Sequence, residues 1–91
     1  MDYSTENLQQ IRTLANKLTP ITEIGVLLGL NEQLLRDDIA TVGHPARQAF
    51  YGGMAEQALK IRERTIELAA AGSPSADDSL KVYLRKMLND L

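Results

Sequence analysis

The chain has 91 residues, 44% hydrophobic and 24% charged, with a formal net charge of −2. It has no cysteine and a single histidine, His44, which excludes disulfides, thiolate metal sites, cysteine nucleophiles and His-based metal clusters. No apolar run approaches the roughly 18 residues that a membrane span needs, and the acidic start Met1-Asp2-Tyr3-Ser4-Thr5-Glu6 does not read as a signal peptide.

A single soluble, cytoplasmic all-α domain over residues 1–91 is therefore expected. Aromatics are only 4% (Tyr3, Phe50, Tyr51, Tyr83), so the core must come from Leu, Ile, Val, Ala and Met, which favour helices over strands. Charge is unevenly spread. Residues 1–43 carry three basic groups against six acidic ones, and residues 44–91 carry seven against six. A basic balance, the usual mark of a nucleic-acid binder, is missing.

About five helices are predicted. The first runs from about Thr5 to Leu18 with Ser4 as N-cap, and places Leu8, Ile11, Ala15 and Leu18 on one face. Thr19-Pro20 predicts a cap followed by Pro at the first helical position. A short helix, Ile21 to Leu28, then turns Ile24, Leu27 and Leu28 inward and stops at Gly29. Asn31 caps a third helix to about Thr41, with Leu34, Leu35 and Ile39 inward, and Gly43 stops it.

His44-Pro45 opens a long helix to Ala71. Gly52-Gly53 in its interior costs about 1 kcal/mol per Gly relative to Ala, and marks either a kink or a close backbone approach. Met54, Ala58, Ile61, Thr65 and Leu68 form one apolar stripe, with Ala55, Leu59, Ile66 and Ala69 beside it. This face is wider than one partner helix needs. Ser73-Pro74 starts the last helix, whose stripe is Leu80, Tyr83, Leu84, Met87, Leu88 and Leu91. The long helix and the last helix should pack as a hairpin over about residues 45–91.

The pattern with functional content is a helix-turn-helix over about residues 19–43. Gly25 would let the two helices cross closely, Gly29 would supply the positive φ of the turn, and Leu30 and Leu35 would fill the core. The next apolar position falls on Asp38, and Ile39 comes one residue late. If this unit reads double-stranded DNA, the second helix lies in the major groove. Asn31, Glu32, Gln33 and Arg36 would then meet base edges, and Thr22, with Thr19 and Lys17, would reach phosphates. Asp37 and Asp38 would repel phosphates if they faced DNA. The same hairpin also occurs in proteins that bind no DNA. The alternative is a protein-interaction or scaffold module that uses the apolar faces.

Other features read as structural. His44 suits a cap better than a ligand. Lys60, Arg62 and Arg64 alternate with Glu56, Glu63 and Glu67 as a solvated face, with Glu56 paired to Lys60. No paired carboxylates, phosphate loop or nucleophile motif is present, so an enzyme, a cofactor and a metal are not expected.

After the helix-turn-helix come Ala49-Phe50-Tyr51-Gly52-Gly53-Met54-Ala55-Glu56, then Glu67-Leu68-Ala69-Ala70-Ala71-Gly72-Ser73-Pro74-Ser75-Ala76, then Tyr83-Leu84. In this order the parts resemble the small-subunit terminases of tailed phages and related prophage proteins, over roughly residues 19–87. The resemblance implies DNA binding through residues 31–36. It also implies self-association through Met54, Ala58, Ile61 and Leu68, and a separate large terminase subunit that carries the catalysis.

Overall fold

The computed structural model describes residues 2–91; Met1, which opens the acidic N-terminal stretch, lies outside the described residues. The described residues form five helices and no strand: α1 (Thr5–Asn16), α2 (Ile21–Leu28), α3 (Glu32–Ala40), α4 (Pro45–Ala70) and α5 (Pro74–Asn89). They divide into two compact units, Met1–Gln57 and Ala58–Leu91, with α4 contributing to both.

The first unit is built on Ile11 of α1, Ile24 of α2, Leu35 and Ile39 of α3, and Ala46 and Ala49 of α4. Tyr3, Leu8, Leu14, Ile21, Leu28, Leu30 and Phe50 pack around them. Caps fix its helix starts. The Ser4 hydroxyl accepts the Asn7 amide, and the Asn31 side-chain oxygen accepts the Leu34 amide at 3.0 Å. Gly29, at φ +67°, ends α2 in the left-handed conformation that glycine adopts without steric cost.

Several expectations are corrected. α1 ends at Asn16, not Leu18. Leu18 takes a left-handed turn at φ +62°, and the Thr19 amide bonds back to the Leu14 carbonyl. This closes the helix in the way a glycine usually does. Pro20 is not the first helical residue. It occupies the N-cap with an extended backbone, its carbonyl accepts the Ile24 amide, and no side chain caps α2. Leu27 and Leu34 point outward, 64% and 48% exposed. Ile21 and Leu28 of α2, and Leu35 and Ile39 of α3, take the inner positions.

Gly52-Gly53 does not interrupt α4, which is helical from Pro45 to Ala70. The glycines mark a close approach. A Cβ on Gly53 would collide with the Arg12 carbonyl and lie 3.1 Å from the Asn16 amide nitrogen. α1 therefore rests directly on the backbone of α4. Asn16 Nδ2 donates to the Gly53 carbonyl at 3.1 Å, and Arg12 pairs with Glu56 beside it. Glu56, expected to pair with Lys60, reaches across to α1 instead.

The second unit is a helical hairpin of α5 against residues 58–70 of α4. Ser73 caps α5 by accepting the Ala76 amide, and Pro74 opens it. Ala76 is the one buried residue of this unit.

Candidate nucleic-acid interface

The candidate site is the outer face of α3 and the start of α2. It is positioned by the turn between them. The Leu30 amide bonds the Gly25 carbonyl at 2.9 Å, and Leu30 turns toward the core. Gly25 is buried at the crossing. A Cβ there would sit 3.4 Å from the Leu30 carbonyl oxygen and 3.7 Å from Glu32 Cα, so only the smallest side chains fit. Leu35 and Ile39 anchor the inner side of α3 and leave Glu32, Gln33, Arg36 and Asp37 in solvent.

Four of the five expected reading residues form two linked sets. Arg36 Nη2 donates to the Thr22 hydroxyl of α2 at 2.9 Å, and its Nε lies 3.7 Å from a Glu32 carboxylate oxygen. One turn around, Gln33 Nε2 donates to Asp37 Oδ1 at 2.9 Å. The fifth, Asn31, uses its side-chain oxygen as the α3 cap. Lys17 is exposed beyond α1, whereas Thr19 is half-buried.

Asp38 would repel phosphates, like Asp37, if it faced DNA. It faces Tyr3 and the start of α4. The Tyr3 hydroxyl donates to its Oδ2 at 2.6 Å, and His44 Nε2 lies 3.7 Å from its Oδ1. The Tyr3 and His44 rings meet edge to face at 5.7 Å. Tyr3's hydrogen bond holds the Asp38 carboxyl below the usual carboxylate range. Burial, with the neighbouring Asp38 charge, pushes the Tyr3 phenol above its ordinary value.

His44 caps α4, its Nδ1 accepting the Ala46 amide at 3.0 Å. At the far end of α3, Arg47 Nη1 donates to the Ile39 carbonyl at 2.8 Å, and its guanidinium lies 4.6 Å over the Tyr51 ring. The cap at His44 was expected; the contacts of Asp38 with Tyr3 and His44, and those of Arg47, were not. The available signal was Asp38 itself, since an acid at an apolar position must be met by a donor.

The expected association face is distributed across α4. Met54 and Ala58 are half-buried, and Ile61 and Leu68 are exposed. Other large apolar side chains join the exposed set: Leu59 and Ile66 on α4, and Val82, Leu84, Met87 and Leu88 on α5. Within this unit Arg62, Ile66, Leu80, Tyr83, Leu84 and Met87 line an open groove. No helix is long and apolar enough to cross a membrane among the described residues. The chain matches no family model, no curated protein and no solved structure.

Proposed function

We propose that this protein is a cytoplasmic, double-stranded-DNA-binding protein of the small-subunit terminase type, reading DNA with α3 and associating with itself through the α4–α5 hairpin. A single observation carries the reading. The outer face of α3, in a helix-turn-helix with a left-handed Gly29 turn, presents Gln33 and Arg36 to solvent, and Arg36 is braced by Thr22 of α2. A catalytic set is not expected from the sequence, in keeping with a large terminase subunit as the partner that does the chemistry.

The test is duplex binding followed by fluorescence anisotropy across a salt series. Binding should weaken as salt rises, by a logarithmic slope of about 0.9 per phosphate contacted. The Gln33→Ala/Arg36→Ala double variant should bind at least about tenfold more weakly while keeping its helical content. Equal binding by the double variant would remove α3 from the interface.

A second reading, a protein-interaction module, is favoured by the hairpin, where large apolar side chains are exposed and only Ala76 is buried. Under that reading the protein assembles or docks a protein and ignores DNA even at low salt. Molar mass by light scattering, with and without a mixed-sequence duplex, separates the two.

A further inference from the structure

The acidic groups on α3 are the least expected feature of a DNA-reading helix, and their placement gives them a use. Each exposed acid is coupled to a potential base reader one turn away: Glu32 to Arg36, and Asp37 to Gln33. Glu32 and Arg36 are both about half exposed. Thr22 holds Arg36 Nη2, and Glu32 lies beside Nε.

On the major-groove edge of a G·C pair, the guanine N7 and O6 acceptors and the cytosine N4 donor lie side by side. Arginine is the commonest partner of the first two, and a carboxylate accepts from the third. An arginine and a glutamate on neighbouring turns, already side by side, match that row of groups. The N-terminal turns of the second helix are also the part that reaches base edges.

We propose that Glu32 and Arg36 together read one G·C base pair, Arg36 on guanine and Glu32 on the cytosine amino group, and that Glu32 also keeps α3 off non-cognate DNA. This rests on the DNA-reading function proposed above. Without its cytosine partner Glu32 is a negative charge close to phosphates, and the wrong site is penalised rather than merely unrewarded. Arg36 meanwhile stays folded against Glu32 and Thr22. The acidic face thus lowers the sequence-independent affinity that basic proteins show for any duplex.

The experiment is selection from a duplex library with a randomised centre, run at low salt with the wild type, Arg36→Ala and Glu32→Gln. Binding of each to an unselected mixed-sequence duplex is measured alongside. Glu32→Gln keeps the size of the side chain and removes its charge. The wild type should enrich a G·C pair at a fixed position, and both variants should lose that enrichment by about tenfold. Glu32→Gln should also bind the unselected duplex about threefold more tightly or better. Enrichment of the same pair by Glu32→Gln, with no gain on unselected DNA, overturns the inference while DNA binding stands. A wild type that binds duplex with no enriched position overturns it as well. A wild type that retains no duplex at low salt removes the DNA-reading function itself, and this is seen before any variant is compared.

Discussion

Adding one methyl group at Gly53 places it against the Arg12 carbonyl, and backbone on both sides cannot give way. Gly53→Ala should therefore cost about 2 kcal/mol or more, as overpacking does, despite the gain in helix propensity. Gly52 is the internal control. A Cβ there meets only the Arg12 guanidinium, the far end of a flexible side chain. Gly52→Ala should stay within about 1 kcal/mol of wild type, because the propensity gain offsets a loosened surface ion pair. Thermal melting of the two variants checks this; equal midpoints would mean that α1 does not rest on α4.

Tyr3 and Asp38 make a second residue-scale prediction, in pH. The carboxyl of Asp38 is depressed by Tyr3, so its contribution is present above the ordinary carboxylate value of 3.8 and is lost as pH falls through the lower folded value. The phenol of Tyr3 is raised, so its contribution is present below the ordinary value of 10.0 and is lost as pH rises through the higher folded value. Stability should hold on a plateau between these limits. Tyr3→Phe should lower the plateau and flatten both flanks in urea titrations across pH; an unchanged profile would mean the bond contributes nothing.

At the scale of elements, α3 depends on Asn31, which supplies its N-cap bond. Asn31→Ala should cost about 1 kcal/mol, seen as a lower urea midpoint with an unchanged slope. The helix starts were legible because Ser4, Asn31 and Ser73 are side-chain caps with a stated chemistry. The end of α1 was not. Leucine rarely takes the left-handed turn, so nothing at Leu18 announced one.

Periodicity also could not choose between neighbours. In Leu27-Leu28 and Leu34-Leu35 the two side chains point about 100° apart, and the packing of α1 and α4, unknown from the local pattern, selects the inner one. The exposed face of α3 was legible from spacing. Its wiring was not, because the Arg36–Thr22 bond needs the tertiary crossing at Gly25.

For the whole molecule, the contrast between the two units is the informative fact. The first has a continuous core, and the second exposes Leu84 at 52% and Leu88 at 53% while burying one alanine. Helices of this length draw most of their stability from packing of an apolar face, so we expect copies of the chain to supply it. Leu84→Glu/Leu88→Glu should lower the molar mass measured by light scattering and leave the helical content of the first unit in place. A wild-type monomer at high concentration would count against self-association.

The seat of α1 on Gly53 has one more consequence, for the order in which the first unit closes. α2 and α3 are neighbours in sequence, so their crossing can form early with little chain entropy lost. Joining α1 to α4 links Arg12 and Asn16 to Gly53 across the whole of that hairpin, and such distant contacts form slowly. Docking of α1 should then be a late event. Gly53→Ala should speed unfolding far more than it slows refolding, and the glycine would act chiefly as a brake on opening.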